Sequence, residues 1–188
     1  VRQAGATPVY LGIVGDSPEA TSLAIKKAMA DNDILLITGG VSMGDYDFVP
    51  EILKQNQVDL LFEQIAIQPG KPTVFGRAEN CFIFGLPGNP VSSFIIFELL
   101  VKPFLFGLMG CKYEPLPIKA VLGADYVRKN SNRLAWLPVK FNSQGEVIPV
   151  AYHGSAHIHA LCFADGIIPV PVGWQQLKKG DLVDVRPF

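Results

Sequence analysis

The stretch Ile34-Leu-Leu-Ile-Thr-Gly-Gly-Val-Ser-Met-Gly-Asp-Tyr-Asp47 decides the fold, because it joins an apolar run directly to a glycine-rich loop. Its first four residues form a short, continuous apolar run, which is typical of a strand buried on both faces of a parallel sheet. Ligands of open α/β sheets bind at the carboxyl ends of such strands, where this loop begins. The sequence therefore predicts an α/β sheet with a ligand site at its edge.

The loop combines flexible backbone with polar side chains. Gly39 and Gly40 allow the backbone to approach a ligand closely and to turn its amide groups toward anionic oxygens. Ser42 adds a hydroxyl group, and Gly44 allows a second turn. We expect all four residues to contribute to the binding of a phosphorylated ligand.

Two carboxylates follow in the same loop. Asp45 and Asp47 are placed beside the predicted phosphate site, and carboxylates next to phosphates commonly share a Mg²⁺ ion. Asp47 is also a candidate N-cap for a helix that begins near Phe48. The residues leave both roles open, and the two can coexist.

A second loop, Gly85-Leu-Pro-Gly-Asn-Pro90, follows another apolar run, Phe82-Ile-Phe84. Asn89 is placed to cap the helix that Pro90 begins, and a helix N-terminus with nearby hydroxyl groups binds anions. The alternative is a plain connection between a strand and a helix. The ligand-binding residues predicted here are Pro87, Gly88, Asn89, Pro90 and Ser92.

Between the two loops lies Gln64-Ile-Ala-Ile-Gln-Pro-Gly-Lys-Pro72. The pattern predicts a strand over residues 60–67, with Gln64 and Gln68 on one face. Lys71 follows a Pro-Gly turn and is able to reach a phosphate or another oxyanion. The alternative for Lys71 is an ordinary solvated loop lysine.

The chain changes character after Gly110. Before it, the patterns predict a strand over residues 9–14, a helix from about Ser17 to about Asn32, and a long helix from Pro90 to about Met109 that is buried on most of its faces. After it, short strands alternate with Pro and Gly, which favours a small β-barrel or β-sandwich. We therefore predict an α/β domain over residues 1–111 and a β-barrel domain over residues 112–188.

Composition excludes several classes of function. The 188 residues include 16 basic and 17 acidic side chains without a basic cluster, which argues against a nucleic-acid partner. The most apolar stretch, residues 94–109, is interrupted by charges and is too short for a membrane span. Three widely spaced cysteines and the lack of a signal peptide at Val1 favour a cytoplasmic location. The opening residues resemble the end of a helix, so we expect the chain to be the back part of a longer polypeptide.

Three motifs together resemble the molybdopterin molybdenumtransferase family, which also includes the C-terminal part of gephyrin. They are Gly39-Gly-Val-Ser-Met-Gly-Asp-Tyr-Asp47, Pro69-Gly-Lys-Pro72 and Gly85-Leu-Pro-Gly-Asn-Pro-Val-Ser92. Gly154-Ser155 and the final residues 180–188 add weaker similarity. The order and spacing of these motifs cover nearly the whole chain.

The resemblance implies a function. Enzymes of this family insert molybdate into adenylylated molybdopterin, use Mg²⁺ and release AMP, and they work as homodimers in the pathway of molybdopterin adenylyltransferase. By position, Asp47 matches the family's acidic residue of the catalytic cleft, Pro87 and Pro90 match the loop that lines it, and Ser155 matches a residue of the barrel domain. We predict Asp47 and Lys71 as catalytic residues, and Asp47 as the metal ligand.

Two departures from the family pattern leave alternatives open. The family commonly has Lys at the positions of Gln64 and Gln68, and glutamine keeps hydrogen-bond donors but loses the charge. The resemblance also implies that the first strand of the α/β domain and two preceding domains are absent, so the chain alone should be inactive. The alternatives are a non-catalytic molybdopterin carrier or scaffold, and an unrelated nucleotide-binding α/β domain fused to a barrel.

Overall fold

The computed structural model describes residues 1–41, 48–150 and 159–188, the last range without the side chains of residues 159 and 160. It is a mixed α/β structure with several sheets. The chain divides into two units, which are Val1–Ile65 with Gly70–Cys111, and Ala66–Pro69 with Lys112–Phe188. The short stretch Ala66–Pro69 thus belongs with the second unit, which the division at residue 111 did not anticipate.

The first unit contains four strands and most of the helices. Its helices are a 3₁₀-helix (Arg2–Ala4), α1 (Pro18–Asp31), α2 (Val49–Gln55), α3 (Pro90–Ile96), a π-helix (Phe97–Val101) and α4 (Lys102–Leu108). Its strands are β1 (Ile34–Thr38), β2 (Asp59–Phe62), β4 (Val74–Arg77) and β5 (Phe82–Leu86). They form a sheet in the order β1-β5-β4-β2.

The neighbours β1 and β5 are parallel, and their register runs from Ile34 opposite Phe82 to Thr38 opposite Leu86. The carboxyl ends of the two strands therefore lie side by side at one edge of the sheet. The pairs β4–β5 and β2–β4 are antiparallel, so the sheet is mixed. A hairpin leads from β4 into β5, and Ala78 N donates to Cys81 O across its turn at 2.8 Å.

Helix α1 begins as the sequence predicts. The Ser17 hydroxyl accepts a hydrogen bond from Ala20 N at 3.3 Å, and Pro18 is the first helical residue. Ile25 and Ala28 of α1 pack with Leu53 of α2 in the core of this unit. The helix thereby covers one side of the apolar sheet that carries the glycine-rich turns.

The predicted strand over residues 9–14 is wrong, because this segment forms no regular structure. Tyr10 and Ile13 are 83 % and 93 % exposed. A cavity of about 1300 Å³ is lined by this segment and by β1. A run of β-forming residues becomes a strand only where a hydrogen-bonding partner is available, and the local pattern does not reveal the partner.

The segments α3, π-helix and α4 make one continuous helix, Pro90–Leu108. Among the described residues it is the one helix long and apolar enough to cross a membrane, which is weak evidence because a core helix of a soluble protein passes the same test. Only 39 % of its most apolar window is buried, so the prediction that most of its faces are buried is wrong.

The second unit consists mainly of strands, with one short helix, α5 (His159–Cys162). Its strands are β3 (Ile67–Gln68), β6 (Ile118–Val121), β7 (Tyr126–Val127), β8 (Leu134–Phe141), β9 (Val147–Pro149), β10 (Gly166–Val170), β11 (Gln176–Leu177) and β12 (Leu182–Pro187). Six of them form one sheet with the path β3-β8-β10-β12-β6 and β9 added to β8, while β7 and β11 pair separately. An isolated bridge between Leu122, which follows β6, and Val147 of β9 links the β6 end of this path to β9. No strand ladder closes the ring over the described residues, so the predicted closed barrel is not confirmed.

Candidate functional site

The first glycine turn is fixed by its backbone conformation. Gly39 and Gly40 follow β1 with φ angles of 90° and 68°, which side chains of L-residues rarely adopt. A Cβ atom on Gly40 would lie 2.6 Å from Cγ2 of Val49, and Gly40 O accepts a hydrogen bond from Val49 N at 3.1 Å. The chain therefore turns tightly against the start of α2, and only glycine fits at position 40.

The second turn is fixed by hydrogen bonds at the start of the helix Pro90–Leu108. The Asn89 side chain accepts from Ser92 N at 3.1 Å, as an N-cap does. The Ser93 hydroxyl donates to Asn89 O at 3.0 Å and also to Pro87 O. These bonds hold the turn on the first residues of the helix, whose N-terminal end carries a partial positive charge.

The two turns lie against each other. Gly39 N donates to Leu86 O at 3.0 Å, which continues the pairing with β5 one residue beyond the end of β1. A Cβ atom built on Gly88 would lie 3.4 Å from the Cα atom of Gly39. Flexible glycine backbone and a helix N-terminus thus occupy the same edge of the sheet, and this combination is suited to bind an anion.

The third predicted element, Lys71, lies in a loop whose backbone is tightly held. Lys71 O accepts hydrogen bonds from Ile65 N at 3.0 Å and from Thr73 N at 2.9 Å. Its side chain is exposed, whereas Gly70 and Thr73 on either side are buried. Because the backbone at Lys71 is already held, its long cationic side chain is able to contact an anionic ligand with only a small further loss of backbone entropy.

A family model described as a probable molybdopterin binding domain matches residues 1–107, which include both glycine turns and Lys71. The chain belongs to this family. A second model, described as the MoeA C-terminal region (domain IV), matches residues 119–188. The resemblance that the motifs suggest is confirmed.

Two curated relatives of this family member carry the same name. The chain is 38 % identical to a molybdopterin molybdenumtransferase of Staphylococcus epidermidis over 90 % of its own length and 41 % of the relative. It is 34 % identical to the protein of that name from Bacillus subtilis over 97 % of its own length and 43 % of the relative. The chain thus spans less than half the length of these curated relatives.

Solved structures agree with this assignment. The molybdopterin biosynthesis MoeA protein from Pyrococcus horikoshii is 30 % identical with a TM-score of 0.85, over 99 % of this chain and 45 % of the other. A molybdenum cofactor biosynthesis protein from Pyrococcus furiosus is 28 % identical with a TM-score of 0.79, over 100 % of this chain and 61 % of the other.

The structure does not place Gln64 and Gln68 on one strand, and the predicted strand over residues 60–67 is confirmed only at its start, where β2 ends at Phe62. β2 ends at Phe62, so Gln64 lies in an irregular, exposed segment of the first unit. Gln68 lies in β3, opposite Ala135 of β8 in the second unit. The chain leaves the first sheet after Phe62 and enters the other sheet at Ile67.

Two predicted residues of the second turn contact the protein itself. Pro87 is buried, and its carbonyl oxygen accepts a hydrogen bond from the Ser93 hydroxyl. Ser92 is 7 % exposed, and its hydroxyl donates to the Asn89 side chain at 3.3 Å. Gly88 and Pro90 are exposed, so a ligand has access to them and to the half-buried Asn89.

Several predicted residues lie outside the described part of the chain, namely Ser42, Gly44, Asp45, Asp47 and Ser155. Over the described ranges 1–41, 48–150 and 159–188, no group of three or more His, Cys, Asp or Glu side chains is arranged to hold a metal ion. The predicted Mg²⁺ ligand Asp47 is among the residues outside these ranges. The described side chains therefore provide no Mg²⁺ site.

Gly85 also determines the shape of the site, a role that was not predicted from the sequence. A Cβ atom on it would lie 2.8 Å from Cγ1 of Val41 and 3.1 Å from Cβ of Val74. The missing side chain lets Val41 enter the core directly after the first turn. A glycine inside an apolar strand signals such a close approach, and this signal was present in the sequence.

Proposed function

We propose that this chain is the C-terminal part of a molybdopterin molybdenumtransferase, which inserts molybdate into adenylylated molybdopterin and releases AMP. The observation that carries the proposal is the meeting of the two glycine turns at the carboxyl ends of the parallel strands β1 and β5. The name shared by the curated relatives supports the reaction. These relatives are longer than this chain, which supports the proposal that the complete enzyme contains further domains.

In this proposal, the two turns hold the phosphate group of the pterin ligand. Backbone amides around Gly39 and Gly88 and the N-terminus at Asn89 supply hydrogen-bond donors and a partial positive charge. Lys71 supplies a full positive charge. The rigid turns keep these groups oriented in advance, which reduces the cost of ordering the site when the ligand binds.

Asp47 acts in the same proposal as the catalytic carboxylate and the Mg²⁺ ligand, with Asp45 beside it. Ser42, Gly44 and Ser155 complete the ligand contacts. A homodimer and a molybdopterin adenylyltransferase that provides the adenylylated substrate are further parts of the proposal. All of these elements rest on the motifs that resemble the family.

A second candidate function is a molybdopterin carrier or scaffold that performs no insertion. Glutamine at positions 64 and 68 favours it, since the family commonly has Lys there and loss of two charges weakens the grip on an oxyanion. A Gln64→Lys, Gln68→Lys variant distinguishes the two functions. Cofactor formation by this variant but not by the wild type would favour the carrier.

The direct test uses the complete polypeptide that contains this chain, with adenylylated molybdopterin, molybdate and Mg²⁺. We expect the wild type to form active molybdenum cofactor and to release AMP. Asp47→Ala should abolish the release of AMP while leaving the unfolding midpoint nearly unchanged. Unchanged cofactor formation by Asp47→Ala would remove Asp47 from the catalytic role.

A further inference from the structure

The loop that carries Lys71 is anchored to the helix that begins at the second glycine turn. Gly70 is buried and has a φ angle of 116°, which is strained for any other residue. A Cβ atom on Gly70 would lie 2.4 Å from Cδ1 of Ile96, a fully buried residue of α3. The backbone beside Lys71 therefore packs directly on this helix, less than two turns beyond Asn89.

Thr73 holds this loop closed from a buried position. Its side chain is fully buried, and its hydroxyl donates a hydrogen bond to Gly70 O at 2.7 Å. Its own N–H donates to Lys71 O at 2.9 Å. The consecutive carbonyl groups of Gly70 and Lys71 both accept hydrogen bonds from Thr73.

A polar side chain at this buried position needs an explanation. Valine has nearly the same shape as threonine and fills a core without the cost of burying a hydroxyl group. The hydroxyl of Thr73 satisfies Gly70 O, which is also buried in this loop, and so keeps the turn closed. The hydrogen bond restricts the path of the backbone at Lys71, whereas the Lys71 side chain itself is exposed.

We propose that Thr73 is a positioning residue, which sets the place of the Lys71 ammonium group relative to the helix N-terminus at Asn89. The inference rests on the proposed function, in which Lys71 contacts the anionic substrate. Thr73 itself does not contact the ligand. It acts by closing the Gly70 turn on Ile96, so that Lys71 and Asn89 are carried by one rigid assembly.

The test is a double-mutant cycle between Thr73→Val and Lys71→Ala in the complete polypeptide, with kcat/KM for AMP release as the readout. We expect Thr73→Val to lower kcat/KM about tenfold in the wild-type background and less than about twofold in the Lys71→Ala background. Thr73→Ser, which keeps the hydroxyl, should restore most of the activity. The loss of thermal stability caused by Thr73→Val should be the same in both backgrounds.

The outcomes separate this inference from the proposed function. Equal losses of kcat/KM in both backgrounds would show that Thr73 does not act through Lys71, and this result would overturn the inference. The proposed function would still stand if the wild type were active. A silent Lys71→Ala variant would overturn both the role of Lys71 and the inference. A wild type that forms no cofactor would overturn the proposed function, and the inference that rests on it would fall with it. If Thr73→Val does not fold, Thr73→Ala enters the same cycle and is judged by the same criteria.

Discussion

The two glycine turns lie side by side, yet different forces fix them. Gly40 needs glycine for its φ angle of 68° and for the 2.6 Å approach to Val49. Gly88 does not have a positive φ angle, and a Cβ atom on it would make only an ordinary contact with Gly39. The second turn depends instead on the hydrogen bonds of Asn89 and Ser93.

This difference shows how the site divides its tasks. The first turn is built into the core, so its shape cannot change without a cost in stability. The second turn is held by polar groups at a helix start, where the chemistry of single side chains controls both structure and ligand affinity. Substitutions in the two turns should therefore separate stability from binding.

The largest effect is expected at Gly40. Gly40→Ala adds backbone strain and a clash with Val49, which together should lower the free energy of unfolding by about 2–5 kcal/mol. Urea unfolding measures this loss. The matched control is Gly12→Ala, because Gly12 has a φ angle of 86° but nothing within 4 Å of an added Cβ atom. The control should lose only about 1–2 kcal/mol, and equal losses would mean that packing on Val49 does not constrain the turn.

A smaller loss is expected at Ser93. Ser93→Ala removes the donor to Pro87 O and Asn89 O and should cost about 1–2 kcal/mol of stability, since the buried Pro87 carbonyl loses its partner. Ser93→Thr keeps the hydroxyl and serves as the control. Thermal unfolding of both variants provides the comparison. If the alanine variant were as stable as the wild type, hydrogen bonds would not be what fixes the second turn.

The smallest effect on stability is expected at Gly88. Gly88→Ala should change the free energy of unfolding by no more than about 0.5 kcal/mol. It should nevertheless weaken molybdopterin binding on the order of tenfold, because a methyl group would stand where the backbone approaches the ligand. Calorimetric titration with molybdopterin measures the affinity. Full affinity together with a large loss of stability would reverse the roles assigned to the two turns.

Local patterns in the sequence predicted the elements that local interactions control. The helix start near Ser17, the cap at Asn89 and the strand that begins with the apolar run at Ile34 were all evident, because each depends on residues close in sequence. The predicted juxtaposition of the two turns needed one further assumption, namely that β1 and β5 are parallel neighbours.

The failures share a physical cause, which is pairing between distant residues. Val9–Val14 has the composition of a strand but forms none, and Ile67 pairs with Leu134 instead of extending β2. The approach of Gly70 to Ile96 likewise depends on the packing of a helix on a loop. Such contacts depend on partners far along the chain, and periodicity reports only the neighbours of a residue.

The measurement that tests the central claim most directly is the affinity of Asn89→Asp for molybdopterin in the complete polypeptide. Aspartate caps a helix as well as asparagine does, so the variant should fold with unchanged or slightly higher stability. Its negative charge should repel the phosphate group and raise Kd about tenfold or more. The control Ser17→Asp introduces the same charge at the cap of α1 and should leave Kd unchanged. An Asn89→Asp variant that binds molybdopterin as tightly as the wild type would contradict an anion site at the meeting of the two turns.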